Sequence, residues 1–532
     1  MIKKISVIDL GYNSLKLVNY IIQNNKYNIS SQKSFKVKLG ENLHSQKILK
    51  DDAINRTINA LNYFKEIIYF NSSSSLVIPF ATSAVRESEN QKNFLNKIYD
   101  ETGFKFKVLS EKKEAIYSYI GANNSLCFPD CIFFDLGGGS LEIVSTKKFT
   151  IRKIISLPLG SLKLSQSFFN NGDNYKTSKN ELKKLEEYVF KSLPSRDDLD
   201  ISSNCVNLIG VGGVLRTIAQ FDQSIKEYPI QKLHNYYLDQ NSIVSIYDHL
   251  KNMSYDEILK IDEIGKNRVD TIVTGSCVIK NLITKFKVKN LVVSTKGLRE
   301  GILLYNTNLY TQKISTKNQK SNLLKKLIVD TCSNQFYKSM SKYFNKLLTL
   351  LLNHNEIKIL NIALSLIYNN SNFYNGNNDI SYLKHKFFSI MNSDNHIISN
   401  LTHKDQVLLS LSIISIHKSK IISILMEHLN NLFRSKEEKA IFIQTIEKIN
   451  TCIELILLLN KLNSNIKIKT RTNKNKKFVY INIILKKKTK IKPTILLNNI
   501  FKNIEDTSNL CISYYITNNT KKMIKEEESN NQ

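Results

Sequence analysis

The run Cys131-Ile132-Phe133-Phe134-Asp135-Leu136-Gly137-Gly138-Gly139-Ser140-Leu141-Glu142 constrains this chain more than any other stretch. An apolar strand pattern carries a carboxylate into three adjacent glycines, and a second carboxylate follows seven positions after the first. Glycines bring no Cβ atoms, so the backbone N–H groups of such a turn can close around phosphate oxygens. Asp135 and Glu142 offer the hard oxygens that suit a Mg²⁺ shielding the same charge. Taken alone, the stretch also fits a tight hairpin with one surface acid on each side.

The design recurs. Ile5-Ser6-Val7-Ile8-Asp9-Leu10-Gly11-Tyr12-Asn13-Ser14 repeats the order of strand, Asp, Gly and small polar residues, and an alternating run through Leu17 follows it. A third copy, Asn207-Leu208-Ile209-Gly210-Val211-Gly212-Gly213-Val214-Leu215-Arg216, opens a helical pattern through Ile218 and Ala219. There a helix N-terminus can turn its dipole toward a bound anion. Two acid-bearing β-turn-β loops and one glycine loop before a helix describe a two-lobed α/β clamp for a nucleotide or a polyphosphate. The pattern resembles the ribonuclease H-like fold of actin, the sugar kinases and the chaperone ATPases.

Further motifs narrow the resemblance. In order they are Ala81-Thr82-Ser83-Ala84-Val85-Arg86-Glu87-Ser88, Val108-Leu109-Ser110 leading to Glu114-Ala115, the Asp135–Glu142 loop, Leu157-Pro158-Leu159-Gly160-Ser161, Arg268-Val269-Asp270 before Gly275, and Gly297-Leu298-Arg299-Glu300-Gly301. Over roughly residues 1 to 305 the chain is similar to the exopolyphosphatase and guanosine pentaphosphate phosphohydrolase family.

That resemblance implies a phosphoanhydride hydrolase. Glu114 matches the glutamate that activates water, and Asp135 and Glu142 match the carboxylates that hold metal and position water. Gly137, Gly138, Gly139 and Ser140 would cradle the phosphate being cut. Asn13 and Ser14 match the first phosphate loop, Gly212 and Gly213 the glycine loop before the helix, and Arg86 and Arg268 arginines near the polyanion. On its own Glu114 reads as an exposed helix residue beside Lys112 and Lys113, and either arginine could equally cap a helix or pair with an acid. The implied cofactor is Mg²⁺, with Mn²⁺ as the alternative, and the implied assembly is a homodimer.

Four residues depart from the family pattern: Tyr12 where Ser is usual, Lys16 where Arg is usual, and Glu111 and Lys113 around the general-base motif. Lys16 keeps the charge but not the planar fork. The core carboxylates are intact, so the sequence predicts activity, with chain-length preference or rate altered.

At 532 residues the chain is too long for a single core. The sequence divides into a first lobe over 1–123, a second over 124–305 with Asn123-Asn124-Ser125 as a hinge, a linker over 306–320, and a mainly helical domain over 321–532. Long helical patterns are expected at 51–70, 90–102, 111–122, 179–192, 214–221 and 268–286, and later at 323–329, 344–352, 357–368, 406–416 and 441–462. The last domain is similar to the HD metal phosphohydrolases, through Ile359–Ile367, His385 and His417, but Tyr368-Asn369 stand where the metal-binding pair would be. A hydroxyl and an amide are poor metal ligands, so no working metal site is expected there.

The net charge of +30 attracts polyanions without choosing among them. Between Lys467 and Lys492 lie eleven basic residues and no acid around an apolar middle, which predicts a strand hairpin that is either a polyanion wall or a lysine-protected edge. Seven scattered cysteines with no CxxC pair fit a reducing cytoplasm. No apolar run reaches the ~18 residues of a membrane span. Expected partners are inorganic polyphosphate or guanosine pentaphosphate, with no specific nucleic acid and no membrane. Exopolyphosphatase is the favoured function, guanosine pentaphosphate hydrolysis the second, and a noncatalytic polyphosphate or nucleotide sensor the reading from another class.

Overall fold

The computed structural model describes residues 3–309, apart from 24–25, 42, 72–75, 170–176, 202–206, 289 and 308, and residues 347–518, apart from 370–378, 392–397, 399–400, 418–419, 462–463, 474–475, 486–493 and 509. The chain divides into two compact units, Met1–Lys317 and Asn318–Gln532.

The first unit holds two sheets built to one plan. Strands β1 (Lys3–Leu10), β2 (Ser14–Gln23), β3 (Lys26–Lys36), β4 (Leu76–Ala81) and β5 (Lys107–Val108) stand in the order β3-β2-β1-β4-β5. Strands β6 (Cys131–Leu136), β7 (Leu141–Lys147), β8 (Thr150–Leu157), β9 (Asn207–Gly212), β10 (Tyr236–Asp239) and β11 (Asn290–Val293) stand in the order β10-β11-β9-β6-β7-β8. Each sheet begins as an antiparallel three-strand meander and then adds a parallel strand beside its first, β4 on β1 and β9 on β6. The second sheet carries β10 as an extra antiparallel edge.

Strands β1 and β6 are covered on both faces, which is why their sequences read as apolar runs rather than alternations. In each, the penultimate residue is the aspartate, Asp9 or Asp135, and it is only partly covered. Phe133 and Phe134 are fully buried on opposite faces of β6, each worth about 2–3 kcal/mol relative to exposure. Separate apolar cores lie around the two sheets, one including Leu10, Leu61 and Phe94, the other Leu185, Leu282 and Phe286.

Two helices join the sheets. Glu111–Leu126 leads from β5 to β6, and Leu298–Asn306 follows β11 and packs Ile302 and Leu303 onto the first sheet. They cross backbone to backbone. A Cβ on Gly121 would lie 1.9 Å from the Gly297 carbonyl oxygen, and one on Gly301 would lie 1.8 Å from that of Tyr117, so only glycine fits at either position.

Most expected elements are present, with two corrections. Asn123-Asn124-Ser125 is not a loop but the last turn of the Glu111–Leu126 helix. The Asn123 amide bonds Tyr119 Oη, Phe128 O and Phe128 N, and Cys127 stops the helix at φ 57°. The pattern from Arg268 to Phe286 is not one helix either: a short turn, Gly265–Arg268, ends before Ile272–Lys285 begins. The break sets Arg268 apart from the core-facing helix.

In the second unit, helices His354–Asn369, Ile380–Met391, His403–Ile414, Lys420–His428, Lys436–Lys461 and Thr494–Thr507 accompany a small sheet. Its strands β12 (Ser464–Asn473), β13 (Lys476–Leu485) and β14 (Leu510–Asn518) lie in that order, with β12–β13 antiparallel and β13–β14 parallel. The expected basic hairpin is β12–β13; Lys486–Lys492 and the run 323–329 lie outside the described residues. None of the described cysteines Cys127, Cys131, Cys277, Cys452 and Cys511 forms a disulfide. Among the described residues, no helix is long and apolar enough to cross a membrane.

Candidate active site

The two acid-bearing hairpins turn alike. The N–H of Gly11 donates to Ser14 O at 3.0 Å, and that of Gly137 donates to Ser140 O at 3.0 Å. The carbonyls of Gly137 and Gly138 accept from the N–H groups of Ser161, Leu162 and Lys163, each at 3.0 Å, at the start of the helix Ser161–Phe168. This arrangement leaves the N–H groups of Gly138, Gly139 and Ser140 without an intramolecular acceptor among the described residues. Gly212 brings the third glycine loop alongside: its φ is +140°, and a Cβ there would lie 2.5 Å from Leu136 O. Three loops therefore converge at the ends of β1, β6 and β9.

Carboxylates gather beside them. Glu114 sits in the first turn of its helix and is only 8% exposed, so it is not the solvent-facing residue its lysine neighbours suggest. Arg86 Nη1 donates to Glu114 Oε2 at 2.8 Å and to Leu109 O at 2.9 Å, while Arg86 Nε and Nη2 are buried with no partner among the described residues. Burial pushes the Glu114 carboxyl up to about 7 against the pull of Arg86, and the charges of Asp135 and Asp9 push the same way.

One helical turn further on, Ser118 Oγ donates to Asp135 Oδ2 at 2.6 Å. Burial raises the proton affinity of Asp135, and this hydrogen bond opposes it. Glu142, 2% exposed, accepts from Ser156 Oγ at 3.3 Å. Its carboxyl is held well above the ordinary range by burial first and then by Glu114 and Asp135.

Such crowding of buried acids, each held above its ordinary proton affinity, fits a site that recruits a cation. Among the described residues no three His, Cys, Asp or Glu side chains stand close enough to hold an ion by themselves. Mg²⁺ commonly takes one or two carboxylates and completes its shell with water and phosphate, and Asp135 and Glu142 match that donor set.

Cations form a second group around Asp9. Lys16 stands opposite it in the β1–β2 register, and Arg299 Nε lies 3.9 Å from Asp9 Oδ2. Burial pushes the Lys16 amine down to about 7, with Arg299, Arg216 and Arg268 adding repulsion and Asp9 opposing it. The Arg268 guanidinium lies on Gly213, where a Cβ would meet Nη2 at 2.1 Å.

Of the residues expected from sequence, Glu114, Arg86, Asp135 and Glu142 come together with the Gly137–Ser140 turn, and Gly212, Gly213 and Arg268 adjoin them. Asn13 adjoins the turn as well, since a Cβ on Gly138 would lie 3.8 Å from the Asn13 Cβ. It lines a cleft of about 210 Å³ together with Lys36, Phe169, Gln166 and Asp270. Its Oδ1 is buried with no partner among the described residues. The Ser14 carbonyl shapes the turn. Tyr12 wedges its ring between Gly40 and Gly139, where a Cβ on either would approach the ring within 2.2 Å and 2.5 Å. Glu111 and Lys113 point to solvent.

Sequence reasoning passed over Ser118, Arg216 and Arg299. Ser118 had a signal, since it lies four residues after Glu114 on one helix face.

The model of the Ppx/GppA phosphatase family matches residues 20–309. The chain belongs to this family. A bifunctional 3-dehydroquinate synthase/phosphatase of Fusobacterium nucleatum is 32% identical over 309 residues, covering 56% of this chain and 46% of that protein. The chain thus matches less than half the length of that curated relative. Exopolyphosphatase 1 of Mycobacterium tuberculosis is 20% identical over 306 residues, covering 57% of this chain and 87% of the relative. The crystal structure of the Aquifex aeolicus Ppx/GppA family member has 26% identity and a TM-score of 0.50 over 59% of this chain and all of that one. An exopolyphosphatase from Cytophaga hutchinsonii shares the fold at 24% identity and a TM-score of 0.54, over 59% of this chain and all of that one.

Proposed function

We propose that this Ppx/GppA family member is an exopolyphosphatase that releases terminal orthophosphate from inorganic polyphosphate. The observation that carries this reading is Glu114: a buried carboxyl, near neutral in proton affinity, tethered by Arg86 next to a glycine turn whose N–H groups are unspent. In the proposed reaction the terminal phosphoryl group rests in the Gly137–Ser140 turn. Glu114 takes a proton from the attacking water, and the turn's N–H groups stabilise charge on the phosphoryl oxygens. The unpartnered edge of Arg86 donates to an oxygen of the same group. A Mg²⁺ held by Asp135 and Glu142, when bound, would supply charge neutralisation on the phosphates.

The second unit serves affinity in this reading. Residues 310–532 carry 34 basic and 15 acidic side chains, so they hold +19 of the chain's net charge of +30, and the release of counterions favours a long polyanion. We take the working protein to be a cytoplasmic homodimer.

A second reading, hydrolysis of guanosine pentaphosphate, is favoured by the cleft beside Asn13. It joins apolar walls, Leu162, Phe169 and Val273, to the charged groups Lys36 and Asp270, as a base attached to a phosphate chain would require. Incubating the full chain and Mg²⁺ with long polyphosphate or with guanosine pentaphosphate, and measuring released phosphate, separates the two. Release from neither, with binding retained, would make the protein a sensor instead.

A further inference from the structure

Buried hydroxyls inside helices ordinarily turn back on their own backbone. In this chain Thr57 Oγ1 donates to Ala53 O at 2.7 Å, Thr102 Oγ1 to Ile98 O at 2.7 Å, Ser276 Oγ to Val273 O at 2.9 Å and Ser410 Oγ to Gln406 O at 2.7 Å. Ser118 departs from that habit. It is fully buried in the Glu111–Leu126 helix, yet its Oγ leaves the helix and donates to Asp135 Oδ2 on β6 at 2.6 Å.

Both ends of this hydrogen bond are fixed. Gly121, three residues after Ser118, meets the Gly297 backbone with no room for a Cβ, so the helix cannot slip along its neighbour. The backbone of Asp135 is paired with Glu142 on one side of β6 and with Val211 on the other. What is left free at Asp135 is its side-chain rotation, and the bond from Ser118 takes that up. It occupies Oδ2, while Oδ1 has no hydrogen-bond partner among the described residues. Glu114 stands one turn before Ser118, so the base and the hydroxyl that aims Asp135 belong to one rigid element.

We propose that Ser118 is a positioning residue, whose hydroxyl locks the Asp135 carboxylate so that Oδ1 is presented to a hard cation at a set spacing from Glu114. The inference deepens the hydrolase reading and rests on it for the use made of the cation. It adds that the helix bearing the base also sets the metal site, through a residue that itself touches neither water nor substrate.

The test compares Ser118→Ala, which removes the donor, and Ser118→Cys, which fills the same space with a weak donor, with the natural full chain. Mn²⁺ binding is followed by electron paramagnetic resonance, with orthophosphate present as a group that cannot be cut. Phosphate release from tripolyphosphate is measured separately with Mg²⁺. Both variants should bind Mn²⁺ about 10- to 100-fold more weakly, as is usual when a group that orients a metal ligand is lost. At a fixed Mg²⁺ concentration kcat should fall about 10-fold or more while KM for tripolyphosphate stays within about twofold.

A serine with a purely structural role would lower the Tm of Ser118→Ala in EDTA and leave Mn²⁺ affinity and kcat alone; that result overturns the inference. Ser118→Cys matching the natural protein in both readouts overturns it too, because shape rather than donation would then matter. The Mn²⁺ measurement keeps this inference apart from the reading beneath it. Mn²⁺ binding that depends on Ser118, in a natural protein that releases no phosphate, defeats the hydrolase reading and leaves the positioning role standing. Phosphate release by the natural protein, with Mn²⁺ affinity and kcat unaltered in Ser118→Ala, does the reverse.

Discussion

Asp135 faces Glu142 across the β6–β7 hairpin at the register position where Asp9 faces Lys16 across β1–β2. One hairpin design thus appears twice with its second residue inverted in charge. The acid–lysine copy balances itself, whereas the acid–acid copy is costly to bury without an external cation.

The acid–acid copy should therefore carry the metal dependence. Asp135→Asn or Glu142→Gln should lower phosphate release at saturating Mg²⁺ by about 10-fold or more and move half-saturation to higher Mg²⁺, because hard cations prefer carboxylate oxygen. A Mg²⁺ titration identical to that of the natural protein would reduce both acids to loop structure.

Glu114 must lose its proton to act, so kcat/KM should climb as pH rises through about 7 and then level off. Glu114→Gln should cut turnover by about 10²-fold or more while polyphosphate still binds. Stability should show the opposite slope. The folded carboxyl holds its proton more tightly than the unfolded one, so its contribution is full below the ordinary value of 4.5 and is lost as pH rises through about 7. In metal-free unfolding experiments, Glu114→Gln should flatten that loss; an unchanged pH dependence of both rate and Tm would discard the assignment.

Arg86 pulls the Glu114 carboxyl down, by its charge and by the 2.8 Å hydrogen bond. In Arg86→Gln the rise of kcat/KM should consequently move to higher pH, beyond any change in KM. If only KM changes, Arg86 meets substrate without tuning the base.

Gly301 has no room for a methyl group, because its Cβ would fall 1.8 Å from a backbone oxygen that cannot rotate away. Gly301→Ala should cost about 3 kcal/mol in urea unfolding. A loss under about 0.5 kcal/mol, the range of ordinary surface changes, would mean the two helices separate readily.

What could be read from sequence was what local chemistry dictates. β1 and β6 need apolar runs, and an aspartate inside each run stands out against them. Glu114, by contrast, looks like a surface residue until its helix is laid over β6, and it was legible only through the ordered motifs. Arg216 and Arg299 lie 83 positions apart and acquire a shared meaning once β9 and β11 bring their loops side by side. Asn123 misled because its amide serves the end of its own helix, a bond invisible in composition.

The crossing of Gly121 and Gly301 has a mechanical corollary. The Glu111–Leu126 helix carries the chain from the first sheet to the second, and here it touches the Leu298–Asn306 helix, which returns from the second sheet to pack on the first. Ser118, which holds Asp135, and Arg299, which faces Asp9, are each within one turn of that crossing. The Lys36–Asp270 ion pair lines the cleft beyond it. With no room at either glycine for the backbones to slip past one another, Ser118 and Arg299 keep Asp135 and Asp9 at a fixed spacing.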